Sequence, residues 1–407
     1  MISNHQISSG VKVLMETVSH TKAVSMGFFF NTGSAWEPLG NRGWSHLVEH
    51  MVFKGTNQKT QKEIALAIDR VGGDLNAYTD KEEISFYCTL PSDHWGLGLE
   101  LLSDMLQDPI FPENELRKEK SVIYKEISAI KDDPEDWIFE EFIKKLWPSH
   151  PYGNSVAGNP RDLRTANHET LMNYFKQVIS TSPLTIAIAG DFSRSEVLKT
   201  VEKLIVPRNR WLNDFATPQA GRQFSIHRKT RYQMDQILWG MAIPSNLNYQ
   251  ELLVLQLFSL SFGETMGSRL FQNVREKKGL CYSISSVLGD FRKVHSIFIT
   301  ASTSPRSTPK LISTVEKEWK NVLSQGLEKE EIIHGISSMR GSTLLQMENM
   351  EYRMNRLFQH DIRFGMIHDW ENTDNLLKSI SVEMVESVLE KTFRRGTLSF
   401  LLGSSSS

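Results

Sequence analysis

Residues 46 to 56 read His-Leu-Val-Glu-His-Met-Val-Phe-Lys-Gly-Thr, and their reading governs that of the whole chain. The segment predicts a helix from about Ser45 to Phe53, with Gly55 placed to end it in a left-handed cap. On that helix His46 and His50 lie one turn apart on one face, so two imidazoles can converge on one ion. Glu49 sits at the edge of the face, three residues after His46, where it can reach a water beside the ion without being a ligand. Zinc catalysis needs this arrangement: neutral nitrogen ligands, an open position and a nearby carboxylate to take a proton. The order His-x-x-Glu-His inverts the commoner zinc signature. With 12 His in the chain, chance yields such a triplet in about one chain in fifty. The competing account is a pair of surface histidines beside a solvated glutamate.

A second helix bears on that choice. It is expected to open at Pro112, with Glu113 and Glu115 in its first turn, and to stop before Pro134. Its apolar stripe is Leu116, Ile123, Ile127 and Ile130. Steps of three and four from Leu116 put Glu119 and Glu126 on the same, buried face. A buried carboxylate needs a partner, because desolvating its charge costs several kcal/mol. A metal ion and its histidines would serve. Pairing with an arginine from another helix, or a helix exposed all round, is the alternative.

Composition narrows the rest. The 407 residues hold 46 Lys and Arg against 48 Asp and Glu, a net charge of −2, with 40% apolar residues. That balance argues against partners such as nucleic acid or an anionic membrane. Cys88 and Cys281 are too few for a disulfide framework and suit a reducing compartment. No apolar run approaches the roughly 20 residues that span a bilayer. The first ten residues resemble neither a signal peptide nor a transit peptide. The expectation is a soluble, cytoplasmic protein of two or three domains.

Along the chain, strands are expected over Val11–Val18 and Lys22–Phe30, a helix over Gln61–Val71, and one strand running from Leu75 through Glu83 to Leu90. A strand at Leu184–Ala189 and a helix at Asp191–Ile205 close a first domain, 1–206. Residues 207–222 are polar, aperiodic and bounded by prolines, and read as a linker. A similar order then recurs over 223–402: strand Gln236–Ile243, helices Tyr249–Phe262 and Gly267–Lys278, and strands Leu280–Val287 and Val294–Thr303. Residues 403–407 read as a frayed tail. The fold class is α+β, two duplicated units without the regular βαβ alternation of a parallel sheet.

The segment His46–Thr56 resembles the active-site signature of the pitrilysin/insulinase zinc peptidases, in the branch of mitochondrial processing peptidase and its short bacterial relatives. Other blocks extend the resemblance over nearly the whole chain. Gly72-Gly73-Asp-Leu-Asn76-Ala77-Tyr78-Thr79-Asp-Lys-Glu82 is similar to the family's substrate-binding strand. Glu126 lies where the third ligand should, with its companion Glu119 seven residues earlier. Gly267-Ser-Arg-Leu-Phe-Gln-Asn-Val-Arg275 through Tyr282 resembles the Arg and Tyr block of the second domain. Trp44-Ser45, before His46, departs from the smaller residue common there.

The resemblance implies two homologous domains, each an antiparallel β-sheet packed with α-helices, and one Zn2+ per chain held by His46, His50 and Glu126. Glu49 would be the general base, and Glu119 would orient a ligand histidine from behind. Asn76, Ala77, Tyr78 and Thr79 would offer an edge strand to an extended peptide, with loose sequence preference. Two domain pairs would close on the substrate as a clamshell. One chain holds a single pair, so a homodimer is expected, with Arg275 and Tyr282 of one chain completing the partner's site. A non-catalytic scaffold subunit of the same architecture is the runner-up, although its usual mark is an eroded ligand set. A metal-storage or sensor protein would have no need of Glu49.

Overall fold

The computed structural model describes residues 1–205, 216–219, 221, 223–243, 246–393 and 397–405. Most of the expected linker, 207–222, lies outside the described residues. The chain forms two compact units, and neither is continuous in sequence. The first comprises Met1–Ala129, Asn154–Ala216 and Leu345–Ile367; the second comprises Ile130–Gly153, Thr217–Leu344 and His368–Ser407. Each therefore contains a segment from within the sequence span expected for the other.

The first unit is built on strands β1 (Ile2–Gln6), β2 (Lys12–Thr17), β3 (Ala23–Phe30), β4 (Asp74–Thr79), β5 (Ile84–Pro91) and β6 (Leu184–Gly190), in the order β1-β2-β6-β3-β5-β4. All neighbours are antiparallel except β2 and β6. Residues 74–91 are not one strand but a hairpin. The break falls at Asp80-Lys-Glu-Glu83, where the Asp80 amide donates to the Glu83 carbonyl at 2.8 Å. The fold-back leaves β4 at the end of the sheet.

Strand β3 is buried on both faces. Helices α1 (Trp44–Val52), α2 (Gln61–Asp69) and α3 (Trp95–Gln107) belong to the same unit. Gly98 of α3 lets that helix pack tightly on the sheet. A Cβ there would come within 2.8 Å of Cys88, Leu90 and Met26. On the opposite face, Gly27 and Phe29 meet the helix Met350–Phe364, whose Met354, Leu357 and Phe358 are fully buried. The rings of Phe29 and Phe358 stack with centroids 4.3 Å apart. Charged contacts fix the register of this helix on the sheet. Arg353 lies 2.6 Å from Glu16, which Arg356 also approaches, and Lys12 lies 2.6 Å from Asp361. Phe358→Ala removes a buried aromatic from both layers. It is expected to destabilise the first unit by about 3–5 kcal/mol, read as an earlier unfolding transition in denaturant.

The second unit carries β7 (Ser225–Thr230), β8 (Asp235–Ile243), β9 (Ser283–Phe291), β10 (Val294–Thr303) and β11 (Ser399–Ser405), ordered β7-β11-β8-β10-β9. Its one parallel pair is β7 with β11. Residues 403–405 are thus not a frayed tail. Gly403 pairs with Gln236 and Arg228, and Asp235 accepts from the Ser405 amide at 2.8 Å. Two further helices, α4 (Glu113–Asp132) and α5 (Pro134–Leu146), follow α3 in the chain. Helix α5 packs on this second sheet, with Phe142 and Phe139 edge-on to Phe298. The other face holds a core that includes Trp239, Phe258, Phe262, Trp319 and Phe393.

Candidate metal centre

Helix α1 starts from an anchored turn. The two carboxylate oxygens of Glu37 accept from the Gly43 and Ser45 amides, both at 2.8 Å, which satisfies donors that a helix N-terminus otherwise leaves open. Gly43 has φ 91°, and a Cβ there would stand 2.7 Å from the Ala157 carbonyl oxygen. Trp44 donates its indole N–H to the Asp162 carbonyl at 3.1 Å and sits edge-on to Tyr174, whose hydroxyl is 2.8 Å from that of Ser45. The unusual Trp44-Ser45 pair is therefore part of the anchor and leaves the ligands alone.

Desolvation pushes the Glu37 carboxyl up to about 8, against the pull of the two amides and with a small push from Asp162. The folded chain then holds a proton here that the unfolded chain releases above its ordinary carboxylate range. Stability from this group is present at low pH and lost as pH rises toward 8. Glu37→Gln is expected to flatten the fall of Tm between pH 5 and 8. An unchanged slope would assign the effect to other groups.

Helix α4 runs for 20 residues, with Leu116, Ile123 and Ile127 buried. Glu119 lies on that face, almost fully buried. Glu126 is more open than the stripe predicts, with 41% of its side chain exposed. It lies two turns after Glu119, and its Oε2 is buried although much of the side chain is not.

The Nε2 atoms of His46 and His50 face each other at 3.2 Å. The Glu126 oxygens are 3.7 Å from the first and 3.9 Å from the second. Among the described residues these three form a group whose ligand atoms all lie within 4.8 Å of one another. Ligands about 2.0–2.1 Å from a tetrahedral zinc stand about 3.3 Å apart, so the spacing fits one ion.

Protonation supports that fit. Glu119 accepts from His50 Nδ1 at 2.9 Å and from Lys54 Nζ at 2.7 Å. Desolvation opposes ionisation of Glu119, but the hydrogen bonds from Lys54 and His50 prevail and hold its pKa below the usual range. Facing a carboxylate, His50 Nδ1 is the donor, so in the neutral imidazole it is Nε2 that keeps the lone pair and can take a metal ion. Burial, then the proximity of His50, lowers His46 to about 4, so it is neutral near pH 7. His46 Nδ1 and Glu126 Oε2 are buried without a hydrogen-bond partner among the described residues.

Glu49 stands beside this group. Its Oε2 accepts from the Thr79 hydroxyl at 2.6 Å. Burial raises its pKa, with the Thr79 hydrogen bond acting against the rise. A carboxylate shifted upward is a better proton acceptor near neutral pH. In β4, Thr79 and Ala77 share one side and Tyr78 and Asn76 the other. Tyr78 does not face an open groove. Its hydroxyl donates to Glu83 at 2.7 Å, and its ring packs against the cluster under Met350–Phe364. Asn76 is exposed and accepts from the Ala77 amide at 2.9 Å.

Arg275 and Tyr282 belong to the second unit. Arg275 lies in a π-helical turn, Phe271–Glu276, with its guanidinium 4.5 Å from the Phe271 ring centre. Gly279, at φ 58°, ends the turn. Tyr282 is 76% exposed, which excludes a core role. Cys281 is half-buried just before β9, whereas Cys88 is buried in β5, and both are free thiols. The sequence reading missed three contributors: Glu37 at the helix start, Thr79 as the holder of Glu49, and Lys54. Only Lys54 left a signal, lying four residues after His50, just past the end of α1.

Sequence models of two domain families match the chain: "Insulinase (Peptidase family M16)" over residues 12–160 and "Peptidase M16 inactive domain" over residues 165–339. The uncharacterized zinc protease YmxG of Bacillus subtilis is 29% identical over 400 residues, covering 97% of this chain and 96% of that protein. An uncharacterized zinc protease of Rickettsia felis is 27% identical over 403 residues, covering 98% and 96%. Among solved structures, a peptidase M16 inactive domain from Pseudomonas fluorescens superposes with a TM-score of 0.92 at 18% identity, over 100% of this chain and 98% of that one. The periplasmic protease PqqL from Escherichia coli superposes at 0.85 and 13% identity, over 99% of this chain but 45% of its own. No helix among the described residues is long and apolar enough to cross a membrane.

Proposed function

Because the chain belongs to the insulinase (M16) family of peptidases, we propose that it is a zinc-dependent metalloendopeptidase acting on unfolded or extended peptides. The observation that carries the reading is the convergence of His46, His50 and Glu126 beside Glu49. His46, His50 and Glu126 would hold the ion. Bound zinc would polarise the scissile carbonyl and lower the pKa of a water toward 7. Glu49, oriented by Thr79, takes the proton of that attacking water and delivers it to the leaving amine. Glu119 keeps His50 in the tautomer that presents Nε2. The outer edge of β4 offers backbone groups to an extended chain, which favours conformation over sequence. The intact donor set and the placement of Glu49 weigh against a scaffold subunit.

The reading extends to a two-fold homodimer closing as a clamshell, in which Arg275 and Tyr282 of one chain act at the other's site. The exposure of Tyr282 and the match to less than half of a longer peptidase chain support it. A reducing, cytoplasmic setting accords with two unpaired cysteines.

The test is metal content. Purified protein should hold one zinc per chain, and Glu126→Gln should hold clearly less while its circular dichroism is unchanged. Full retention by the variant would remove Glu126 from the ligand set.

A further inference from the structure

We propose that Lys54 is a positioning residue of the metal centre, acting through Glu119 on the orientation of His50. The inference rests on the metallopeptidase reading above. His50 and Lys54 are four residues apart, and both reach across to the same carboxylate on α4. Glu119 gives one oxygen to His50 Nδ1 at 2.9 Å and the other to Lys54 Nζ at 2.7 Å. The pair is sheltered: 15% of the Lys54 side chain and 11% of that of Glu119 meet solvent. An ion pair in that setting is screened far less than a surface pair, which is worth little.

The backbone gives the lysine its place. The Lys54 amide donates to the Met51 carbonyl at 3.0 Å, closing the last turn. Gly55 then turns the chain away at φ 124°, where a Cβ would meet the Lys59 carbonyl oxygen at 3.2 Å. A carboxylate held by one donor can pivot about its terminal bond. Held at both oxygens it cannot, and the imidazole bonded to it is fixed in turn. The two ligand histidines differ in this respect. His46 Nδ1 has no hydrogen-bond partner among the described residues, so the second imidazole has no such anchor. Directional rigidity at the centre therefore enters through His50, and Lys54 is the far end of its support.

The experiment compares zinc dissociation constants of the full-length protein by competition with a chromogenic chelator. The forms are wild type, Lys54→Met, Lys54→Arg, Glu119→Gln and the double variant Lys54→Met/Glu119→Gln. Loss of a group supporting a ligand weakens zinc binding about 10- to 100-fold. Lys54→Met is expected at the lower end of that range, with Lys54→Arg restoring most of the loss. The double variant should bind no more weakly than Glu119→Gln alone, because Lys54 acts only through that carboxylate. Thermal unfolding of the metal-free forms separates a staple between α1 and α4 from a role at the metal. A staple alone would lower Tm and leave zinc affinity at the wild-type value, which would overturn the proposal. Multiplying losses in the double variant would overturn it too. If Lys54→Met does not fold, Lys54→Gln carries the same comparison. Wild-type protein that takes up no zinc would instead overturn the metallopeptidase reading.

Discussion

Glu49→Gln is expected to keep its zinc and lose peptide cleavage by about 100-fold or more, the usual worth of a general base. Glu49 is not one of the three groups whose ligand atoms converge, so its replacement leaves the donor set complete. Glutamine has the same shape and an amide oxygen that can accept the Thr79 hydroxyl, now made to the carboxylate at 2.6 Å. What it lacks is a site for the proton. Zinc content by elemental analysis and cleavage of a panel of unfolded peptides, resolved by mass spectrometry with and without chelator, give the two readouts. A variant that keeps its metal and cleaves at the parent rate would mean that another group activates the water. A variant that loses its metal would place Glu49 among the ligands.

The second large effect is a gain. Tyr282→Phe should also be nearly inactive, if Tyr282 donates a hydrogen bond to the carbonyl oxygen as charge develops there. Burial pushes the Cys281 thiol up to about 11 and the nearby Arg275 charge opposes that rise; Arg275 would hold the substrate backbone from the same end of the second unit. Glu49→Gln and Tyr282→Phe chains mixed together should recover activity. In a two-fold dimer acting in trans, a mixed pair has one site with both defects and one with neither. Random exchange of equal amounts would then restore about a quarter of the wild-type sites. No recovery, once subunit exchange has been demonstrated by differently tagged chains, would sink the trans arrangement. Recovery without any detectable dimer would sink the homodimer itself.

Local geometry accounts for what was legible in the sequence. The spacing of His46 and His50 translates into convergence because a helix repeats every 3.6 residues whatever surrounds it. The same periodicity put Glu119 on the buried face of α4, and the apolar stretch Met26–Phe30 lies in a segment that read as a strand. The structure alone decided the features set by residues distant in sequence. Lys54 and Glu119 are 65 positions apart, and Thr79 and Glu49 are 30 apart, so no periodic pattern joins them. Residues 74–91 combine two strand-prone runs with the charged Asp80-Lys-Glu-Glu83, and the fold-back there, with β4 pairing only to β5, leaves β4 at the end of the sheet. The helix Met350–Phe364 looks like any amphipathic helix of the second half until Phe358 is seen stacked on Phe29. Glycine and serine at 403–405 suggest fraying, yet hydrogen bonds to β7, β8 and Asp235 hold them in β11. Periodicity says which face of an element is apolar; which partner covers that face depends on chain closure over hundreds of residues, and that is a property of the tertiary structure.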